Sequence, residues 1–222
     1  MQRFAWLQQH GYNPRVILDI GANTGEWTHS ILRIFPNARV KLFEANPNCA
    51  ADLRQRFSEC EIFIGLLGNE NKPDVLFYID PYNPKGTGCS IMKELTTQYK
   101  YATPVMLQMH RLDDLVADRA EIIKIDVQGA EKLVLEGGLK TLQRADFVLM
   151  ELNVLQYNEG APMLAEMVAY MEEKGFQVFD CVEHHQHMGY CIQLDFIFIN
   201  KRSKVFPTLT LDGVEFKNTE EL

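Results

Sequence analysis

The chain alternates between short apolar runs and longer stretches with the periodicity of an amphipathic helix. Apolar runs at Val16–Ile20, Val40–Phe43 and Ile62–Leu67 predict strands, and the segments Glu26–Phe35 and Asn48–Phe57 between them predict helices. Strands that are apolar along their whole length and separated by helices are typical of a parallel sheet covered on both faces. This part of the chain therefore predicts an α/β fold.

The rest of the chain continues this pattern and ends in a less regular segment. The run Ile122–Val127 predicts a central buried strand, and Ala130–Leu142 predicts the helix that follows it. A His-rich loop is predicted between the last two strands, and residues 203–222 are predicted as a weakly structured tail. No break in composition marks a boundary, so we expect one domain over residues 1–222, with an N-terminal helix within residues 1–14. The other predicted elements are a helix at Gln2–His10, strands at Val75–Ile79, Val105–Met109, Phe147–Leu152, Phe176–Val182 and Asp195–Asn200, a helix entry at Arg111–Leu115 with an Asp available to cap it, and a helix at Pro162–Lys174.

The composition is that of an ordinary globular protein, and it narrows the classes of partner. Of the 222 residues 46% are hydrophobic and 23% are charged, and the formal net charge is -8. This acidity opposes binding to nucleic acid or to anionic membranes, so we expect neither partner. The five cysteines include no C-x-x-C pair, which favours reduced thiols. The first residues and the hydropathy along the chain lead us to expect a cytoplasmic protein.

A glycine-bearing turn follows the first predicted strand. The segment Gly21–Gly25 connects that strand to a helix, which places the turn at the carboxyl edge of the sheet, where open α/β sheets bind ligands. Glycines let the backbone approach a ligand closely, and unpaired N–H groups at the start of the helix attract anionic groups. Glu44 ends the next strand 19 residues after Gly25, close to the spacing of about 20 that is typical of an acid binding ribose hydroxyls.

Two cofactor classes share this layout, and the spacing of the glycines separates them. A dinucleotide fingerprint that begins at Gly21 requires glycines at the positions held by Asn23 and Glu26. A pyrophosphate would meet a carboxylate there, so a nicotinamide dehydrogenase is disfavoured. The sequence from Asp19 to Gly25 instead suits S-adenosylmethionine, whose ammonium group can meet acidic and carbonyl groups. A glycine turn without any ligand is the structural alternative.

A pair of opposite charges lies inside the predicted central strand. Lys124 and Asp126 are two residues apart, so their side chains share one face of the strand. A buried ion pair contributes little net stability, which favours a functional role beside the glycine turn. The alternative is a structural ion pair that fixes the strand and the next helix.

Together these motifs resemble the FkbM family of S-adenosylmethionine-dependent methyltransferases. The resemblance extends from about Val16 to Asn153. It implies a class I methyltransferase fold, a Rossmann-like three-layer sandwich with a seven-stranded, mostly parallel sheet whose last strand is antiparallel. The matching motifs are Asp19–Gly25, Phe43–Pro47, Arg111–Leu115, Lys124–Glu131 and Leu135–Gly138.

The resemblance also implies an activity and a set of cofactor-binding residues. The activity is O-methylation of a hydroxyl on a sugar, a glycan or a natural-product small molecule, with S-adenosylmethionine as the cofactor. By this resemblance the motif from Asp19 to Gly25 lines the methionine part of the cofactor, and Glu44 binds its ribose. The full set of expected cofactor-binding residues is Asp19, Gly21, Ala22, Asn23, Gly25, Glu44, Ala45, Asn69 and Asp126.

Methyl transfer to an alcohol also requires a group that takes the hydroxyl proton. Asp126, Glu151 and His184 are the candidates, because the two carboxylates end neighbouring strands at the cofactor edge and the histidine lies in a loop that can line the acceptor. We assign no metal site. A divalent cation held by Asp126 and Glu151 is a minority hypothesis, and the His-rich loop lacks the ligand spacing of a zinc site.

Two alternative functions stay open beside O-methylation. Amino-methylating enzymes of this fold clamp a target nitrogen with an acid or amide, two prolines and an aromatic residue, and Asp80–Asn83 matches that pattern in part. It has one proline and precedes the Lys124–Glu131 strand, so N-methylation is less favoured. The other alternative is a catalytically inactive module that binds S-adenosylmethionine.

Overall fold

The computed structural model describes residues 1–95, 97–156, 158–205, 209–211 and 214–216. The helices are α1 (Gln2–Gln9), α2 (Glu26–Ile34), α3 (Ala50–Arg56), α4 (Leu112–Leu115), α5 (Glu131–Gly137), α6 (Leu139–Leu142) and α7 (Leu164–Glu173), with 3-10 turns at Pro47–Cys49 and Gln98–Tyr101. The strands are β1 (Val16–Ile20), β2 (Arg39–Glu44), β3 (Glu61–Ile64), β4 (Leu66–Gly68), β5 (Lys72–Ile79), β6 (Thr103–Arg111), β7 (Ile122–Ile125), β8 (Phe147–Asn153), β9 (Phe176–His187), β10 (Tyr190–Asn200), β11 (Leu209–Leu211) and β12 (Val214–Phe216).

Seven strands form the main sheet, in the order β3-β2-β1-β7-β8-β10-β9. Neighbouring strands are parallel from β3 to β8, and β10 runs antiparallel to both β8 and β9. The predicted α/β fold, with a mostly parallel seven-stranded sheet and an antiparallel last strand, is therefore confirmed. The strand order reverses between β1 and β7, and folds of this kind bind ligands at the crevice that such a reversal leaves.

Alternate side chains of the central strands pack on opposite faces of the main sheet. Ile17 and Leu42 belong to a buried cluster that includes side chains of α1, α2 and α3. Leu18 and Ile123 belong to a second cluster with side chains of α5, α6 and α7. All four are at most 1% exposed. Helices on both faces explain why these strands are apolar along their whole length.

A second sheet of three strands stands beside the main one, in the order β4-β6-β5. The run Ile62–Leu67, which the sequence predicts as one strand, is divided at Gly65 between β3 of the main sheet and β4 of the second. The Gly65 N–H donates to the carbonyl oxygen of Glu44 at 2.9 Å, and the chain then leaves the main sheet. Apolar residues continue through this break because β4 is buried and the apolar side chains of β3 are partly buried against the core.

The predicted helix Ala130–Leu142 is likewise divided, into α5 and α6. The end of α5 lies so close to β4 that a Cβ atom on Gly137 would be 1.9 Å from the carbonyl oxygen of Gly68. The Asp113 carboxylate accepts the backbone N–H groups of Lys140 at 3.0 Å and Thr141 at 2.9 Å. Asp113 thus caps α6, and the predicted Asp cap of α4, which has no side-chain cap, is wrong.

The predicted His-rich loop is in fact the end of a long β-hairpin. Only Met188 and Gly189 separate β9 from β10, and both have positive φ angles, 49° and 83°. Two consecutive positive φ angles are typical of the two-residue turns that match the twist of paired strands. The loop prediction was wrong because the end of the hairpin is mostly polar and lacks the apolar alternation of a half-buried strand.

Two features complete the description of the fold. Within the predicted tail, β11 and β12 pair in an antiparallel manner, and residues 206–208, 212–213 and 217–222 lie outside the described part of the chain. In that described part, no helix combines the length and the apolar character needed to cross a membrane.

Candidate functional site

The turn after β1 is built on glycines because the surrounding chain leaves no room for side chains. Gly21 has a φ of +77°, and a Cβ atom there would lie 1.8 Å from the carbonyl oxygen of Asp126. Gly25 has a φ of +87°, and its Cβ would lie 2.1 Å from the ring of Phe57. Gly21 therefore brings the ends of β1 and β7 together, whereas Gly25 packs the turn against the end of α3.

Glu44 fixes this turn to the end of β2. Its carboxylate accepts the backbone N–H of Asn23 at 2.6 Å and that of Asn46 at 2.7 Å. Burial raises the pKa of Glu44, although the two N–H groups act in the opposite direction. The carboxylate thus has a fixed orientation at the edge of the cleft, and its predicted contact with a ribose stays a prediction.

A buried lysine stands below the turn and holds three groups of the cleft. Lys124 Nζ lies 3.4 Å from Asp19 Oδ1 and 3.3 Å from Asp126 Oδ2, and it donates to the carbonyl oxygen of Gly21 at 2.9 Å. The Thr28 hydroxyl also donates to Asp19, at 2.6 Å. Burial alone would lower the pKa of Lys124, but the carboxylates of Asp126 and Asp19 outweigh it and raise the pKa. The shared face predicted for Lys124 and Asp126 is confirmed.

An apolar pocket opens between the end of β2, strand β4 and the segment 80–92. Its walls include Ala45, Leu67, Phe77 and Ile91, which offer flat apolar surfaces to a ring system. Its open volume is about 60 Å³, well below the roughly 300 Å³ or more that is usual for ligand pockets. The chemistry of these walls suits a flat ring such as that of an adenosine group.

The segment 80–92 is tied to the glycine turn and to the end of β7. The side-chain amides of Asn46 and Asn23 donate to the carbonyl oxygens of Pro84 at 2.7 Å and Lys85 at 3.0 Å. The Ser90 hydroxyl donates to the carbonyl oxygen of Gln128 at 2.8 Å. Side-chain hydrogen bonds therefore hold the segment over the apolar pocket, together with an antiparallel β-bridge between Ser90 and Tyr78 of β5.

A second cavity, of about 260 Å³, lies on the other side of Asp126. Asp126 and Glu151 both face it, and the Gln128 side-chain amide donates to Asp126 Oδ1 at 2.8 Å and to Glu151 Oε2 at 2.9 Å. Burial raises the pKa of Glu151 to about 9, and the nearby Asp126 and Asp195 carboxylates add to that shift. Asp126 lines both the apolar pocket and this cavity, so a donor and an acceptor would meet beside it.

His185 and Asp195 form the far wall of this cavity. His185 Nε2 lies 3.0 Å from Asp195 Oδ1 and 3.5 Å from Glu151 Oε1. Asp195 on β10 is directly opposite Glu151 on β8 in the strand register. His184, the histidine predicted from the sequence, is exposed and lines a further cavity at the mouth of the cleft, which Asp126, Glu151 and His185 also line.

The structure brings most of the predicted site residues to the cleft and places four elsewhere. Asp19 lies beneath the turn and Gly25 ends it, and both are outside the described walls of the two cavities. Asn69 is exposed, and its amide lies 3.4 Å from Glu136 Oε2 on α5. His184 is at the mouth, as described above. The predicted residues that line at least one of the two cavities are Gly21, Ala22, Asn23, Glu44, Ala45, Asp126 and Glu151.

Sequence reasoning missed four polar residues of the acceptor side: Gln128, His185, Gln193 and Asp195. Gln193 donates to Glu151 Oε2 at 2.7 Å. Asp195 could have been identified from the sequence as a candidate site residue, because it is a single acid at the start of a predicted apolar strand. The other three depend on the register of the β9–β10 hairpin or on the loop after β7, which the local pattern does not specify.

Comparison with known proteins identifies relatives of this chain. The family model of the methyltransferase FkbM domain matches residues 19–178. The 2-O-methyltransferase NoeI of Sinorhizobium fredii is 28% identical over 165 residues, which cover 65% of this chain and 66% of NoeI. The chain thus spans slightly less than two thirds of that relative.

Two solved structures share the fold at low sequence identity. A methyltransferase FkbM from Methylobacillus flagellatus has 14% identity and a TM-score of 0.54, with 83% of this chain and 43% of that chain covered. Magnesium protoporphyrin IX methyltransferase from Synechocystis PCC 6803, solved with bound S-adenosylmethionine, has 9% identity and a TM-score of 0.54, with coverages of 90% and 76%. Because the family model covers well over half of its residues, the chain belongs to the FkbM family of methyltransferases.

Proposed function

We propose that this protein transfers a methyl group from S-adenosylmethionine to a hydroxyl of a sugar, a glycan or a natural-product small molecule. The family supports methyl transfer, and the name of NoeI, a 2-O-methyltransferase, supports oxygen as the acceptor atom. S-adenosylmethionine, when bound, supplies an electrophilic methyl group on a sulfonium. The single observation that carries the proposal is the position of Asp126 and Glu151, two carboxylates held by one amide where the two cavities meet.

The donor side of the proposal assigns the cofactor to the glycine turn and the apolar pocket. Gly21 and Asn23 offer close backbone to the methionine part, and Ala45 stands in the pocket that would take the adenine. The Glu44 carboxylate accepts one hydrogen bond each from the backbone N–H groups of Asn23 and Asn46. Its remaining lone pairs would accept hydrogen bonds from the ribose hydroxyls. Asp126, held by Lys124, offers a negative charge to the sulfonium and ammonium groups.

The acceptor side assigns the hydroxyl to the cavity beyond Asp126. Holding the hydroxyl in line with the donor methyl can supply much of the rate, up to about 7–11 kcal/mol in well-oriented systems. The proton of the hydroxyl then passes to Asp126, because the pKa of Glu151 is raised to about 9 and that carboxyl already holds a proton near neutral pH. A general base of this kind typically adds about 10²–10⁴ to the rate. The Gln128 amide holds the two side chains beside each other.

Calorimetric titration tests the donor assignment before any acceptor is known. The wild type is expected to bind S-adenosylmethionine and S-adenosylhomocysteine but not NAD. Ala45→Trp fills the apolar pocket and should abolish binding of both adenosyl ligands, whereas Glu59→Ala, at an exposed position that lines neither cavity, should bind like the wild type. Binding of NAD alone, or of no adenosyl ligand, would contradict the donor assignment.

Matched acceptors test the oxygen assignment. Sugars and hydroxylated natural products are assayed beside analogues in which an amine replaces the hydroxyl, and the methylated atom is located by NMR. Methylation of oxygen supports the proposal, and methylation of nitrogen alone would replace it with an N-methyltransferase. Asp126→Asn should lower kcat by about 10²–10⁴. A loss of that size in His184→Ala instead would assign the proton to the histidine. Glu151→Gln, which replaces a carboxyl that holds a proton near neutral pH with a neutral amide, should lower kcat less.

A further inference from the structure

Three potential metal ligands converge on one point of the acceptor cavity. Glu151 from β8, His185 from β9 and Asp195 from β10 each offer one ligand atom, and these three atoms all lie within 4.8 Å of one another. We propose that Glu151, His185 and Asp195 bind a divalent cation of the Mn²⁺ or Zn²⁺ class at the wall of the acceptor cavity. Binding itself does not depend on the proposed methyl transfer; only the use of the cation described below rests on it.

Two of the three separations between the ligand atoms, those that involve His185, suit a cation placed among them. Metal–oxygen and metal–nitrogen bonds in such sites are about 2.0–2.2 Å long, so adjacent ligand atoms are about 3.0–3.5 Å apart. His185 Nε2 lies 3.0 Å from Asp195 Oδ1 and 3.5 Å from Glu151 Oε1. One nitrogen atom thus faces two carboxylate oxygens at the separations found around a shared metal ion. An imidazole beside two carboxylates favours a borderline cation over Mg²⁺ or Ca²⁺.

Neighbouring amides fix the orientation of the glutamate ligand. Gln128 Nε2 and Gln193 Nε2 donate to Glu151 Oε2 at 2.9 Å and 2.7 Å. Both amides are buried, with exposures of 9% and 7%. They leave Glu151 Oε1 directed toward His185, and outer contacts of this kind orient the ligands of metal sites.

The charge of the cavity also favours a cation. Its described lining includes the acids Glu26, Asp126, Glu151, Glu183 and Asp195 but a single lysine, Lys124. Lys124 is already engaged with Asp126 and Asp19. A divalent cation would offset the remaining negative charge at the three-residue site.

The position of the site suggests what the cation would contact. The three ligands come from neighbouring strands on one side, so the open coordination positions face the cavity. Two adjacent hydroxyls of a sugar ring can occupy such positions and would be fixed near Asp126. On this basis the acceptors of the proposed reaction would carry a vicinal diol rather than an isolated hydroxyl.

Metal binding is measured directly, without donor or acceptor. Protein without a histidine tag is treated with a chelator and titrated with Mn²⁺ under electron paramagnetic resonance, with Zn²⁺ and Mg²⁺ as competitors. The expected result is one bound Mn²⁺ per chain, displaced by Zn²⁺ more readily than by Mg²⁺. His185→Gln and Asp195→Asn should each weaken binding by more than about tenfold. His187→Gln, an exposed position at the end of the same strand, should bind like the wild type.

The outcomes separate this site from the donor site. Melting curves and S-adenosylhomocysteine binding are recorded for every variant, so loss of metal in a folded variant that retains the adenosyl ligand assigns the metal to these residues. The metal proposal would be overturned if the wild type bound neither Mn²⁺ nor Zn²⁺, or if His185→Gln and Asp195→Asn bound Mn²⁺ as tightly as the wild type does. His185 and Asp195 would then form only a hydrogen bond with each other. Loss of adenosyl binding by the wild type would instead refute the proposed function alone.

Discussion

Replacing Lys124 with methionine should destabilise the protein strongly, because it leaves a buried charge without its partner. Asp19 is 0% exposed, and its two described polar contacts are the Thr28 hydroxyl and the Lys124 ammonium group. Methionine has a similar volume, so the packing of β7 should be retained. Breaking a buried ion pair on one side costs about 3–5 kcal/mol, which is roughly two to three and a half powers of ten in the unfolding equilibrium.

Urea unfolding followed by far-UV circular dichroism measures this loss. The second variant combines Lys124→Met with Asp19→Asn, which removes the orphaned charge and should recover at least about half of the lost stability. The matched control is Lys132→Met, whose partner Glu166 lies 2.7 Å away with 53% of its side chain exposed. A surface pair of this kind contributes about 0–1 kcal/mol. A loss below about 1 kcal/mol in Lys124→Met, or no recovery in the double variant, would refute the reasoning.

Two further predictions concern stability. Gly25→Ala should cost more than Gly11→Ala, because both glycines have left-handed φ angles, +87° and +89°, but only Gly25 has a neighbour in the way, the ring of Phe57. The left-handed backbone should cost an alanine about 1–2 kcal/mol of stability in both variants. Crowding against Phe57 should cost Gly25→Ala about 1–3 kcal/mol more. Equal urea midpoints of the two variants would contradict this prediction. Burial raises the pKa of Glu131 from 4.5 to about 7. The folded protein therefore holds this proton more tightly, and its stability should fall by about 3 kcal/mol as pH rises from below 4.5 to above 7. Glu131→Gln should reduce this slope, and identical slopes in wild type and variant would show that Glu131 does not titrate in that range.

The sequence predicts the geometry around the glycine turn well because its signals are local. The glycine turn, the strand before it and the acid at the end of β2 are contiguous motifs, and the charged pair in β7 follows from strand alternation alone. The main-sheet topology follows from the alternation of apolar strands and helices, together with the family resemblance. These features require no knowledge of how distant segments are aligned.

The acceptor half depends on distant segments, which explains why the sequence predicts less of it. His185 meets Glu151 only because β10 aligns Asp195 with Glu151 and pairs with β9 across a two-residue turn. A shift of one residue in this register would present different side chains to the cavity. The sequence therefore named His184, the neighbour that lies at the mouth. Asn69 follows β4 and lies outside the described walls of the two cavities, and its contact with the cofactor stays a prediction.

The division of the cleft between separate stretches of chain has an evolutionary consequence. The proposed donor contacts come from the ends of β1, β2 and β7, which are packed into the centre of the main sheet, so mutations there carry a stability penalty. The acceptor cavity is closed by the β9–β10 hairpin, whose polar end extends beyond the core. Insertions or exchanges in that hairpin can diversify the acceptor while the inherited donor chemistry is preserved. A library confined to residues 183–193 is therefore a compact starting point for redirecting this scaffold.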